Sequence, residues 1–384
     1  MPAWPWCVWN CSTTEGMTAW DGPRMNPLTF ICLIAGLALL IAGAEALVRG
    51  AARLAARFGI PPLIIGLTVV AFGTSAPEMA VSVRSASGGQ GDIAVGNAIG
   101  SNIFNVLMIL GLSALVIPLR VSRQLIRFDV PVMIGVSLLA WLLAIDREYG
   151  RPDGALLFAG ILAYIAFQVR SGLNAGTSGD GNEFETEFGR KPEGRLALPG
   201  HLALVALGLA MLVWGSDLLI DATVTLARAL GLSELAIGLT MVAAGTSLPE
   251  LATSLVAAIK GERDIAVGNI VGSNIFNLLA VLGLAALVSP APIEVSPNAL
   301  AFDYPVMIAA AAACLPIFLT GYRIGRWEGL LFFGYYLAYG AYQVLFASGA
   351  SAVDLLHDAL AWYALPLTAV TLLVIAVRGW RQRG

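Results

Sequence analysis

Displaced by 172 residues, the sequence matches itself. The segment from Ile65 to Val116 aligns without gaps to Ile237 to Val288, with 34 of 52 positions identical. Upstream, Gly43-Ala44-Glu45 falls on Gly215-Ser216-Asp217. Downstream the match continues through small insertions, with FDVPVMI at 128–134 on FDYPVMI at 302–308, and GALLFAGILAYIAFQV at 154–169 on GLLFFGYYLAYGAYQV at 329–344. A repeat this long decides the architecture before any local propensity is weighed. Nearly the whole chain is one unit, duplicated.

What the unit is follows from its apolar content. Of 384 residues, 58% are hydrophobic and 12% charged. That charged fraction is about half of what soluble domains carry. Each copy holds five apolar segments, at roughly 27–48, 63–86, 93–117, 126–145 and 154–170, then 200–222, 235–258, 265–288, 300–320 and 328–347. These approach the ~20 residues needed to cross a ~30 Å hydrocarbon core. The fold class expected is all-α: a polytopic membrane protein of two inverted five-helix repeats plus one extra C-terminal transmembrane helix near 360–377. The divisions expected are a leader (1–26), a first repeat (27–170), a cytoplasmic linker (171–199), a second repeat (200–347), and an additional helix with a basic tail (348–384). The linker is rich in Gly, Ser and Glu and too short to bury a core. The first residues lack the basic and long apolar regions of a signal peptide, and read as a leader or as a start upstream of Met17 or Met25. Cys7, Cys11, Cys32 and Cys314 form no metal-ligand spacing. The net charge of -3 says little about partners. The bilayer is the surrounding expected, with no nucleic acid and no obligate protein partner indicated.

Orientation is read from Lys and Arg, which favour cytoplasmic loops. With the N-terminus outside, inside segments hold Arg49, Arg53, Arg57, Arg120, Arg123, Arg127, Arg170, Arg190, Lys191, Arg195, Lys260, Arg263, Arg323, Arg326, Arg378, Arg381 and Arg383, which is 17 of the 22 basic residues. Outside segments hold Arg24, Arg84, Arg147, Arg151 and Arg228. The expectation is an inner-membrane, multi-pass chain, N-terminus outside and C-terminus cytoplasmic. An odd number of helices per copy makes the second copy enter from the opposite face, the arrangement on which many secondary transporters build alternating access.

Polar residues concentrate in two clusters per copy. Gly73-Thr74-Ser75-Ala76-Pro77-Glu78 is matched by Gly245-Thr246-Ser247-Leu248-Pro249-Glu250. Gly96-Asn97-Ala98-Ile99-Gly100-Ser101-Asn102-Ile103-Phe104-Asn105 is matched by Gly268-Asn269 through Gly272-Ser273-Asn274-Ile275-Phe276-Asn277. A charged carboxylate near the centre of a membrane helix costs about 2.5 kcal/mol or more unless it faces protein or water and has a partner. No symmetric Lys or Arg is at hand, so the compensating charge comes from metal ions or protons. Two facing carboxylates balance one Ca²⁺, two Na⁺ or two protons.

Pro77 lacks an N–H, leaving the Gly73 carbonyl without its helical donor and opening the preceding turn. Such breaks are tolerated at membrane depth where they line a buried or aqueous cavity. Ser75 and Glu78 are i,i+3 and Ser101 and Asn105 i,i+4, so each pair shares a helical face. Hard cations such as Ca²⁺ take six to eight oxygens at about 2.3–2.6 Å. Neither cluster holds a thiol or imidazole, which argues against softer metals.

The remaining polar and small residues have plainer readings. Gly96, Gly100 and Gly111 are expected at close helix contacts. Asn97, Asn102, Asn269 and Asn274 are either ligands or interhelical hydrogen bonds. Ser82 and Ser254 read as packing, Glu45 and Asp217 as helix-end capping or orienting groups rather than as the lining of an ion path, and His201 and His357 as interfacial.

The paired G-T-S-x-P-E and G-N-x-x-G-S-N-I-F-N clusters resemble the alpha-repeats of the cation/calcium exchanger superfamily, most of all the bacterial and archaeal sodium/calcium exchangers. The resemblance covers about residues 27–347, and both motifs recur with the same 27-residue spacing from Glu to the last Asn. It implies Glu78 and Glu250 as central Ca²⁺ ligands shared in turn with Na⁺. It adds oxygens from Thr74, Ser75, Ser101, Thr246, Ser247 and Ser273, and backbone carbonyls from Ala71 and Ala243. It implies that the helices at 27–48 and 200–222 slide to switch access. Asn105 and Asn277 stand where some members carry aspartate, which argues against K⁺ co-transport. The function expected is Ca²⁺/Na⁺ antiport, with Ca²⁺/H⁺ antiport as the alternative, the ions being cargo and no cofactor being required. A channel would lack a counter-ion requirement. An enzyme is disfavoured, because Ser75 has no His or Lys partner.

Overall fold

The computed structural model describes residues 27–58, 60–175, 197–229, 243–319 and 321–348. The first half contains α1 (Pro27–Phe58), α2 (Pro62–Thr74), α3 (Ala76–Ser87), α4 (Gly91–Val116), α5 (Leu125–Leu143) and α6 (Arg151–Ala175). The second contains α7 (Ala197–Ala229), α8 (Ala243–Thr246), α9 (Leu248–Ile259), α10 (Arg263–Val288), α11 (Ala299–Leu319) and α12 (Arg326–Ser348). Among the described residues seven helices are long and apolar enough to cross a membrane, or eight when α2 and α3, bent by 46°, count as one broken span. The tyrosine-rich α12 is not among the seven. The start of the segment expected at 235–258, the extra helix at 360–377, most of the linker and His357 lie outside the described residues.

Several helices outrun the apolar segments. α1 continues ten residues past the expected 48 to Phe58. Ala51, Leu54 and Ala55 of that extension are buried, whereas Arg49 faces out. An amphipathic turn can leave the hydrocarbon and still pack. α3 and α4 are joined by Gly89 and α9 and α10 by Gly261, at φ 79° and 86°, left-handed conformations that a glycine adopts without strain.

α4 and α10 form the centre. Their most apolar stretches are 72% and 89% buried, against 33% and 28% for α1 and α7, whose outward faces present Ile34 and Trp214. α1 and α7 lie antiparallel and close, because small residues let membrane helices approach. A Cβ on Gly43 would sit 2.9 Å from the Gly208 carbonyl oxygen, and one on Gly36 would sit 2.9 Å from that of Gly215. The last helix of each half packs on the centre of the other: α12 meets α4 at Gly329 and Gly111, and α6 meets α10 at Gly154 and Gly283.

Gly111 therefore makes the close contact expected of it. Gly96 and Gly100 meet no described neighbour within 4 Å. Their counterparts Gly268 and Gly272 lie against Leu63 and Leu67. The residues equivalent to those leucines, Leu235 and Leu239, are outside the described set.

Two short antiparallel pairings tie the ends of the bundle. Strand β1 (Leu119–Arg120), after α4, pairs with β4 (Arg323–Ile324), after α11. Strand β2 (Glu148–Tyr149), after α5, pairs with β3 (Ile293–Glu294), after α10. In each half an aspartate of the FDxPVMI motif is held by a tyrosine and glutamine one turn apart. Asp129 is held by Tyr164 and Gln168 of α6, and Asp303 by Tyr339 and Gln343 of α12.

His201, read as interfacial, is buried against its neighbours, with its backbone carbonyl against Gly50 of α1. Glu45 caps nothing. It pairs with Arg49 one turn along α1 and with Lys260, 2.7 Å away, at the end of α9. Its counterpart Asp217 is exposed.

Candidate ion-binding site

The helix break lies where the proline chemistry puts it. α2 ends at Thr74, Ser75 leaves helical geometry at φ -80°, ψ 7°, and α3 restarts with Pro77 in its first turn. Ser247 repeats this at φ -90°, ψ 10°, with Pro249 following. Proline suits a first helical turn, where its missing N–H would be unpaired in any case. Glu78 and Glu250 sit one residue further on, fully buried.

The two breaks face each other. Ser75 Oγ donates to Glu250 Oε1 at 3.0 Å, and Ser247 Oγ donates to Glu78 Oε1 at 2.8 Å. Ser247 Oγ also lies 3.1 Å from Ser101 Oγ on α4. Each carboxylate is thus met by the break of the opposite half. Among the described residues neither forms an ion pair.

Further along α4 and α10 the helices widen into π turns, at Phe104–Leu110 and Asn277–Leu282. Turns of this kind often mark functional positions. Here they carry Asn105 and Asn277. Asn105 Nδ2 donates to Asn274 Oδ1 at 3.2 Å, and Asn277 Nδ2 donates to Asn102 Oδ1 at 3.1 Å. Nothing in either motif signalled the wider turn.

Among the described residues several buried oxygens are left without a hydrogen-bond partner: Glu78 Oε2, Glu250 Oε2, Asn105 Oδ1, Asn277 Oδ1 and Ser273 Oγ. An unsatisfied buried polar atom costs about 1–3 kcal/mol, more when charged, so a native structure rarely leaves one unexplained. A group of acceptor oxygens around two carboxylates, with no nitrogen or sulfur among them, suits a hard cation.

Other expected donors are differently placed. Thr74 Oγ1 donates to Asn269 Oδ1 at 3.1 Å, and Thr246 Oγ1 to Asn97 Oδ1 at 3.3 Å. The Ala71 carbonyl accepts from the Ser75 N–H at 3.0 Å, so any ion would use its second lone pair. Ala243 opens α8. Ser82 and Ser254 do more than pack: each accepts a hydrogen bond from an asparagine, at 2.9 Å. The asparagines at 97, 102, 269 and 274 all make interhelical hydrogen bonds. An apolar cavity of about 510 Å³ lies beside the break, lined by Phe72, Gly73, Ala76, Leu209 and Trp214 among others.

Residues 28–170 and 200–345 match the sodium/calcium exchanger protein family. The chain belongs to the sodium/calcium exchanger family. It is 41% identical over 310 residues to the inner membrane protein YrbG of Escherichia coli, covering 80% of this chain and 94% of that protein. It is 31% identical over 348 residues to the sodium/calcium exchanger MaX1 of Methanosarcina acetivorans, covering 82% and 98%. A solved structure of the sodium-calcium exchanger NCX_Mj, soaked with zero Na⁺ and Ca²⁺, superposes with a TM-score of 0.69 at 30% identity, over 81% of this chain and 97% of that one. This exchanger is thus a polytopic, all-α membrane protein of a family that transports Na⁺ and Ca²⁺.

Proposed function

We propose that this chain exchanges Ca²⁺ for Na⁺ by alternating access, with Glu78 and Glu250 as the carboxylates that bind the cation. One observation carries the reading: two fully buried acids, one from each half, each held by a serine of the other half and each with an oxygen left unpartnered. A charge of -2 without a basic partner among the described residues demands a mobile countercharge, and Ca²⁺ or two Na⁺ supply it alternately. Ser75, Ser247, Ser101, Ser273, Asn105 and Asn277 would complete the oxygen shell with Thr74, Thr246 and the Ala71 and Ala243 carbonyls.

The halves, 27–170 and 200–347, are taken as inverted copies. Supporting this, the end of α4 pairs with the end of α11 and the end of α5 with the end of α10. A third helix in one half therefore finishes at the same face as a fourth helix in the other. With the N-terminus outside, the β1–β4 end is cytoplasmic, and Arg120, Arg123 and Arg323 lie there as the positive-inside tendency favours.

Ca²⁺/H⁺ exchange is the second reading, favoured by the same unpaired acids, since two protons also balance them. In proteoliposomes with pH clamped on both sides, Ca²⁺ uptake driven by an outward Na⁺ gradient supports the first reading. Uptake that ignores Na⁺ and follows an imposed pH gradient overturns it in favour of the second.

A further inference from the structure

Asn97 on α4 and Asn269 on α10 use their amides at both ends. The acceptor end reaches across the molecule: Asn269 Oδ1 takes the Thr74 hydroxyl at 3.1 Å, and Asn97 Oδ1 takes the Thr246 hydroxyl at 3.3 Å. The donor end turns back on its own half. Asn97 Nδ2 donates to Ser82 Oγ at 2.9 Å and to the Glu78 carbonyl oxygen at 3.2 Å. Asn269 Nδ2 donates to Ser254 Oγ at 2.9 Å and to the Glu250 carbonyl oxygen at 3.5 Å. A backbone carbonyl only accepts, which decides which end of each amide is the NH₂ group. Both of its hydrogens are committed and its oxygen accepts a hydroxyl, so each amide is engaged at both ends in holding the breaks.

The consequence is a grip at two points. Thr74 and Ser75 are adjacent at one break. Ser75 holds the Glu250 carboxylate, while Thr74, through Asn269, holds the Glu250 backbone. Ser247 and Thr246 do the same for Glu78, the latter through Asn97. A glutamate held at one point can swing about its side-chain torsions. Held at both, its carboxylate is set relative to the opposite break. Binding groups lose function when their supporting partners leave them loose by about 1 Å.

We propose that Asn97 and Asn269 are positioning residues that couple the two helix breaks. Each ties the backbone of its own half's glutamate to the break of the other half and so sets the spacing of the two carboxylates for a divalent cation. The proposal rests on the exchanger reading above, in which those glutamates carry the ion.

The test uses the full chain in proteoliposomes, separating the half-saturating Ca²⁺ concentration of Na⁺-driven uptake from its maximal rate. Asn97→Ala or Asn269→Ala should each raise half-saturation about tenfold, the equivalent of about 1.4 kcal/mol. Ser82→Ala and Ser254→Ala, which remove one bond of each amide, should raise it about threefold. The Ca²⁺-induced rise in melting temperature should shrink in the same order. A residue that merely packs would lower the yield of folded protein or the maximal rate and leave Ca²⁺ half-saturation alone. That result in the asparagine variants overturns the proposal. If those variants fail to fold, unchanged half-saturation in both serine variants overturns it. Glu250→Gln in the same assay separates the two levels. Exchange surviving that change removes the site reading and the positioning role with it. Exchange abolished there, with normal half-saturation in the asparagine variants, removes the positioning role alone.

Discussion

Ser75 donates its hydrogen bond to Glu250 in the other half, at 3.0 Å, and Ser247 returns the relation to Glu78 at 2.8 Å. On one helical face Ser75 and Glu78 read as a local pair. The break at Ser75 turns its hydroxyl outward from its own segment, so each carboxylate is completed by the opposite half. The two halves thereby interlock at their breaks.

Neutralising either acid should abolish exchange while sparing the fold. Glu78→Gln and Glu250→Gln keep shape and remove a buried charge that has no countercharge among the described residues. Uptake of Ca²⁺ into proteoliposomes should fall to background in each. The melting temperature in ion-free buffer should hold or rise, since a buried unpaired charge is costly. Full activity in either variant would remove the site assignment.

Crossed serines imply crossed effects. Ser75→Ala strips a donor from Glu250, and hydrogen bonds to charged groups contribute about 1.5–3 kcal/mol. Ca²⁺ half-saturation should rise by about tenfold or more in Ser75→Ala and in Ser247→Ala. In a thermal-stability cycle Ser75→Ala should couple with Glu250→Gln and be additive with Glu78→Gln. Coupling to Glu78 instead would contradict the crossed geometry.

Ca²⁺ should stabilise the purified protein, because it fills a site that the unfolded chain lacks. At a hundred times its dissociation constant the gain is about 2.7 kcal/mol, reversed by a chelator. Protons compete for the same carboxylates. As pH falls, half-saturating Ca²⁺ should rise and the thermal gain at fixed Ca²⁺ should shrink. A Ca²⁺ response that stays flat across acid pH in calorimetry would show that the ion binds elsewhere.

The α1–α7 contact should tolerate no side chain. A Cβ on Gly208 would lie 2.6 Å from the Leu47 backbone nitrogen and 2.8 Å from the Gly43 carbonyl oxygen, groups that cannot rotate away. Gly208→Val should cost about 1–3 kcal/mol or more as overpacking, seen as lost yield and a lower melting temperature in detergent. Gly135→Ala on α5 meets open space and should be neutral or slightly stabilising.

The Glu45–Lys260 pair should matter little. Its side chains are about one-third exposed, at 35% and 30%, so water and salt screen the pair. Lys260→Ala should leave the melting temperature within a few degrees, with the difference vanishing in high salt. A large loss of stability would show that the pair is less solvated than its exposure indicates.

Much of this protein is legible in its sequence because composition and repetition act through the solvent. Apolar segments long enough to span, the self-match at 172 residues, and the glutamate beside proline in both copies follow from what a bilayer tolerates. What only the tertiary structure decided is which half serves which. The sequence leaves the four motif asparagines open between ligand and helix contact. Packed, Asn97 and Asn269 are engaged at both ends of the amide, and all four make interhelical bonds. Ser75 pairs with Glu250, Glu45 with Lys260, and Asn105 with Asn274 on the opposite central helix. Periodicity shows the face a residue occupies on its own helix. It holds no record of the partner across the interface, because that partner is chosen by close packing between segments more than a hundred residues apart.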